Sequence, residues 1–166
     1  MNGNPAYLLK YDFSKSSWED MSGTGDDKLP GPAVVVSNYP IIDGQFFVSG
    51  YAEDGSAYLH KWTGDKFRNI GEQIMSDSKI EVLTLLPSNS KHESVDYLDE
   101  GWLLLVSGSL KLDSIGDVSA ALYDGNKMYP YLISSQISGV PGRIIAIITN
   151  MDDKLLFGKS KLISYN

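Results

Sequence analysis

Hydrophobic positions along this chain fall in short runs, and the runs recur in a fixed order between stretches rich in Gly, Pro, Asp, Asn and Ser. Three of them share a lead-in and an exit: Asp43-Gly44-Gln45-Phe46-Phe47-Val48-Ser49-Gly50, Glu100-Gly101-Trp102-Leu103-Leu104-Leu105-Val106-Ser107-Gly108 and Asp152-Asp153-Lys154-Leu155-Leu156-Phe157-Gly158. An acidic or Gly turn before a strand suits a hairpin entry, and a Gly at its end suits a place where another backbone comes close. A nearly continuous β-branched or Leu-rich run precedes each one, over 33–37, 81–86 and 143–149. Such a run reads as a strand buried on both faces.

A third kind of segment follows the Gly-terminated strand and ends in an aromatic and a turn. Its copies are Ala57-Tyr58-Leu59-His60-Lys61-Trp62-Thr63-Gly64 and Ser119-Ala120-Ala121-Leu122-Tyr123-Asp124-Gly125, matched near the start by Ala6-Tyr7-Leu8-Leu9-Lys10-Tyr11-Asp12-Phe13. A fourth lies just beyond that turn, over 17–21, 66–71 and 127–132, with an aromatic or Met followed by an aliphatic. Helix has little support, since the best stretch, 72–76, is at most one turn.

Glycines 50, 108 and 158, taken as equivalent, lie 58 and 50 residues apart, near the roughly 50-residue period of kelch repeats. Two polar segments, 88–99 and 109–117, are expected to be loop insertions that account for the longer spacing. Four short strands in a meander, repeated, predict an all-β, kelch-like propeller built of four-stranded antiparallel blades, as one domain over 1–166. Two strands, two complete units and three further strands, the last over 161–165, amount to about three blades' worth. A ring of typically 4–8 blades is therefore expected to be incomplete here, with open blade edges through which copies could associate as a homo-oligomer.

Composition narrows function more than fold. With 14 basic and 21 acidic residues the net charge is −7, so the phosphate-tracking Lys and Arg surface of a nucleic-acid binder is not expected. No run approaches the roughly 20 apolar residues of a membrane span, and the N-terminus has no signal-peptide pattern, so the chain as given reads as soluble. The absence of Cys excludes disulfides, thiolate metal sites and cysteine nucleophiles, and leaves the compartment open.

Candidate chemistry is sparse. Only His60 and His92 are present, with no Gly-x-Ser-x-Gly elbow beside either, and His60 reads as an outward-facing strand residue. Asp12, Asp43, Asp54, Asp65, Asp124 and Asp153 sit at turns, where Asp holds local backbone N–H groups. The adjacent pair Asp26-Asp27 lacks the alternating acidic ligands of a calcium loop, so neither metal nor other cofactor is expected. Tyr11, Trp18, Trp62, Phe67, Trp102, Tyr123 and Tyr129 recur at equivalent places and are expected to pack between blades. Residues that act once per protein should lie in what does not repeat, which nominates His92, Glu93, Tyr97 and Asp113 of the two polar segments as partner-binding residues.

The segments LLKYDFSKSSW, FFVSGYAEDGSAYLHKWTGDKFRNIG, LLLVSGSLKLDSIGDVSAALYDGNKMYPYLI and SGVPGRIIAIIT together resemble the ectodomain of the fungal bud-site-selection membrane proteins of the Rax type, cortical markers of cell polarity. Tyr129-Pro130-Tyr131-Leu132 running into Gly139-Val140-Pro141-Gly142 is the most specific part and resembles the end of that ectodomain. The resemblance implies a non-catalytic interaction scaffold on the extracellular side of the plasma membrane at the cell cortex, with a protein partner at the membrane or cell wall. A glycan-binding propeller at the wall, stacking sugars on Tyr97 or Trp102, is the alternative.

Overall fold

The computed structural model describes residues 5–37, 44–87, 102–133, 142–149 and 155–161. In chain order the strands are β1 (Leu9–Asp12), β2 (Ser17–Asp20), β3 (Ala33–Val36), β4 (Phe46–Tyr51), β5 (Ala57–Trp62), β6 (Phe67–Asn69), β7 (Lys79–Pro87), β8 (Trp102–Leu112), β9 (Gly116–Tyr123), β10 (Met128–Ile133), β11 (Gly142–Thr149) and β12 (Leu155–Lys161). Among the described residues there is no α-helix, only a short 3-10 turn at Gly25–Asp27. Every pairing is antiparallel between neighbours in sequence, giving sheets β3-β4-β5-β6 and β7-β8-β9-β10 flanked by the two-stranded sheets β1-β2 and β11-β12. This is the expected all-β propeller-fragment architecture, two whole blades with a half at either end.

Two turns close the outer hairpins in the same way. Thr63 N–H donates to Lys66 O at 3.0 Å, and Asp124 N–H donates to Lys127 O at 3.3 Å. Gly64 and Gly125, first of the central residues, have φ of +101° and +100°. Only Gly takes that conformation without strain, and it matches the twist of the flanking strands.

Alternation along the strands then decides which faces meet. Phe47 and Leu59 point from one face of the β3–β6 sheet into a core with Leu83, Leu85, Leu104, Val106, Ala121 and Tyr123 of the β7–β10 sheet. Val48, Tyr58 and Phe67 point the other way, where they join Leu29, Tyr7 and Leu8. Leu105 and Ala120 form a smaller apolar cluster on the far face of β7–β10, with Leu86 and Leu122 packed against them. β11 lies against β7, β8 and β9, as β3 lies against β7. Each whole sheet is thus covered on both sides, which is why its inner strands read as continuous apolar runs.

Three expectations need correction. The segment 109–117 is not a loop insertion: β8 runs through to Leu112, β9 starts at Gly116, and Leu110 and Leu112 are buried. Its Ser-Leu-Lys-Leu alternation is a strand pattern, and it clips down the link between the two whole sheets. Met75 N–H donates to Lys111 O and Asp113 N–H to Gln73 O, both at 2.9 Å, Lys111 N–H donates to Ser78 Oγ at 2.9 Å, and Lys111 pairs with Asp77.

Gly50 and Gly108 do lie where backbones nearly touch, but inside β4 and β8 rather than at their ends. Each faces the residue before a bulge in the innermost strand, Ala33 before Val34 and Ile80 before Glu81. The matching bulge in β11 follows Ile144, whose partner is Lys159. By register, therefore, Lys159 and not Gly158 is the counterpart of Gly50 and Gly108. Of the expected strand over 161–165, Lys161 is the last residue of β12 and the remainder lies outside the described residues.

Candidate interaction surface

Of the nominated residues, His92, Glu93 and Tyr97 lie outside the described residues. Asp113 is at the tip of the β8–β9 hairpin with its side chain exposed and its backbone engaged by Gln73. Its presentation there follows from the hairpin just described. Trp102, the other nominated stacking ring, is half-buried and packed against the main core, which withdraws it from a flat sugar-binding ledge.

His60 is not an outward-facing strand residue. It shares a face of β5 with Tyr58 and Trp62, its ring centroid is 5.2 Å from that of Tyr58, and its Nδ1 is buried with no hydrogen-bond partner among the described residues. Burial disfavours the imidazolium and pulls its pKa down from 6.5 to about 4. Burial keeps this imidazole neutral and shielded within the packed face it shares with Tyr58.

Four of the turn aspartates can be checked, and each is held locally. Asp12 Oδ1 accepts from Ser14 N–H at 2.9 Å and Ser14 Oγ at 2.6 Å, and Asp54 Oδ1 accepts from Ser56 N–H at 2.9 Å and Ser56 Oγ at 2.5 Å. Asp124 Oδ1 accepts from the N–H groups of Asn126 and Lys127, both at 2.9 Å. Asp65 Oδ1 accepts from the hydroxyl of Thr63 at 2.6 Å. These bonds favour the charged form, and with Lys15 beside it the Asp12 carboxyl is lowered to about 2, the Ser14 hydroxyl being the largest cause. Asp43 and Asp153 lie outside the described residues. No group of three or more His, Cys, Asp or Glu among the described residues could hold a metal ion.

The surface feature that stands out was not nominated. Tyr11 and Trp18, directly opposite in the β1–β2 register, pack with ring centroids 4.9 Å apart and planes at 59°, and Phe13 sets its edge against Tyr11 at 5.0 Å. Trp18 is 63% exposed and Phe13 87%. The same pair exists one sheet along: Trp62 and Phe67 are opposite in β5–β6, with centroids 4.9 Å apart and planes at 56°. There Phe46 of β4 stacks on Trp62 at 6.2 Å and meets Phe67 edge-on at 6.3 Å, and Phe67 is only 5% exposed. Recurrence in the sequence predicted packing between blades. Tyr123 and Trp102 pack in the core shared by the two whole sheets, Trp62 and Phe67 pack with Phe46 of their own sheet, Tyr129 is 40% exposed, and the Tyr11–Trp18 face has no described strand in the place of β4.

The opposite face of β1–β2 is polar, with Lys10 and Lys15 both bonded to Glu19, at 3.1 and 2.9 Å. At this exposure such pairs contribute little to stability and mainly keep that side solvated. Behind it, Ser22 Oγ anchors the start of the chain, accepting from Tyr7 N–H at 2.6 Å and Leu8 N–H at 3.2 Å and donating to Asp20 Oδ1 at 2.5 Å.

Comparison with known proteins follows this architecture. The sequence profile of the family described as the Rax2 C-terminal beta propeller domain matches residues 1–160. Polarized growth protein L1 of Phoma sp. is 29% identical over 138 residues, a match covering 80% of this chain and 10% of that protein. The chain thus spans about a tenth of the length of this relative. No solved structure matches.

Proposed function

Since the chain belongs to the Rax2 C-terminal beta propeller family, we propose that it serves a fungal cell-polarity landmark as a non-catalytic interaction scaffold, displayed on the extracellular side of the plasma membrane at the cell cortex. The family match over residues 1–160 carries this reading, and the similarity to a protein named for polarized growth supports it. Local geometry is consistent with a scaffold. The visible turn aspartates hold backbone or hydroxyl groups, and His60 is kept neutral within a packed face. What the fold offers a protein partner at the membrane or wall is the rigid stack of sheets and the loops at its ends, in keeping with function grafted onto a fold rather than dictated by it.

The test uses full-length protein in a filamentous or budding fungus, tagged within this segment. Antibody should label the tag on unpermeabilised, wall-stripped cells, concentrated at growing tips or division sites, and in-frame removal of the segment should scatter the sites of new growth. Labelling only after permeabilisation, or unaltered site placement after removal, would overturn the proposal.

A further inference from the structure

Building on the scaffold reading, on which it rests, we propose that the tip of the β8–β9 hairpin and the link it clips form a docking face for a basic, partly apolar peptide segment of a protein partner. Register builds the face. Ile74 bridges Leu112 in antiparallel fashion, so the link over 73–75 runs beside one edge of β8 while β9 holds the other, with Lys111 opposite Asp117 and Leu112 opposite Gly116. Alternation then sorts the side chains. Ile74 and Leu112 turn inward, 8% and 1% exposed, into the core between the two whole sheets. Met75, Lys111, Asp113 and Asp117 hold the alternate positions, and of these Met75, Asp113 and Asp117 are exposed. Met75 stands 48% open, and Ile115 at the turn 43%. The β4–β5 hairpin turns at once after Tyr51, Ala52 N–H donating to Ser56 O at 2.8 Å, so the face belongs to one whole sheet and not to the other.

Charge selects the occupant. Lys111 is engaged by Asp77, which leaves Asp113 and Asp117 without a salt bridge among the described residues. The surroundings share their sign. Ala57 N–H donates to Ser76 O at 2.9 Å and brings the β4–β5 tip alongside, and over 52–56, 72–79 and 109–117 six Asp and Glu stand against two Lys. Such a face attracts a segment bearing Lys or Arg and repels a phosphate-bearing one. Met75 and Ile115 supply adaptable apolar contact between the charges. Further sheets set beside either end of the row would extend it sideways and leave this face open, because it lies at the hairpin ends of the sheets and not on their flanks. Asp113, nominated from the sequence as a partner-binding residue, is part of it.

Selection of a phage-displayed library of random peptides on the 166-residue chain tests this. Recovered peptides should be rich in Lys and Arg interspersed with aliphatic or aromatic residues. A synthetic copy of the commonest should bind the double variants Asp113→Asn, Asp117→Asn and Met75→Ser, Ile115→Ser at least ~10-fold more weakly than wild type, with unchanged circular dichroism spectra. Asp65→Asn, Asp124→Asn removes the same charge from turns at the far ends of β5 and β9, and should change affinity less than ~2-fold, since charges that distant are screened. Recovery of no binder, peptides without a basic bias, equal weakening by the two charge variants, or indifference to Met75→Ser, Ile115→Ser would each overturn the proposal. Binding in vitro is read apart from surface labelling and growth-site placement, so a failure here is distinct from a failure of the cell-surface reading.

Discussion

Replacing Gly108 by Ala tests the bulge that β3, β7 and β11 each carry. A Cβ built at Gly108 stands 2.1 Å from Lys79 O, whereas real Cβ atoms essentially never come within 3.0 Å of such a neighbour. The obstacle is backbone, so β7 must retreat by about 0.9 Å at the point where Ile80 and Leu110, 5% and 1% exposed, seal the core. Overpacking of this kind costs ~1–3 kcal/mol. The φ of +150° at Gly108 adds strain for any other residue, ~1–3 kcal/mol. Together they predict a loss of about 3–5 kcal/mol, or a fall in Tm of roughly 10 °C for a chain of this size. Gly50→Ala, where the clash is with Pro32 O at 2.0 Å but φ is unexceptional, should lose about 2–3 kcal/mol. Gly116→Ala is the control: its φ is +92° with nothing within 4 Å, so only backbone strain of ~1–2 kcal/mol is expected. Urea unfolding followed by the fluorescence of Trp18, Trp62 and Trp102 measures all three. If Gly108→Ala is no worse than Gly116→Ala, close approach at the bulge is not what fixes glycine there.

His60 should make the fold acid-sensitive in a defined window. Its pKa in the fold, about 4, lies below the ordinary 6.5, so its contribution is complete above pH 6.5 and is lost as pH falls towards 4. Discounted for partial exposure, the loss is ~2 kcal/mol. His60→Leu should flatten the stability profile between those values, and identical profiles for wild type and variant would refute it. Ser22→Ala strands the N–H groups of Tyr7 and Leu8 and should cost ~1–3 kcal/mol in the same urea assay, against less than ~0.5 for Ser56→Ala, whose hydroxyl bonds only the exposed Asp54 carboxylate, and equal effects would contradict the anchoring role.

Much of this fold is written locally. Strand-length apolar runs, turns with Gly64 and Gly125 at their corners, and a Ser-Gly step inside the second strand of each whole sheet determined an all-β chain of four-stranded repeats, because hairpins between neighbours in sequence need only local pattern and turn chemistry. The quoted segments sufficed for the family too. Short-range pattern could not decide which polar stretch is a loop: Ser109–Asp117 pairs as a hairpin because Leu110 and Leu112 find a core made partly by the preceding sheet. Nor could it place the bulges, which shift the equivalence of Gly158 by one residue, since a bulge is set by how two strands fit and not by either one. Equivalence in the repeat gave Trp18 and Phe67 the same expectation of packing, yet one is 63% exposed and the other 5%. Burial belongs to the neighbour that covers a side chain, and only the tertiary structure shows that Phe67 has Phe46 beside it while Trp18 stands open.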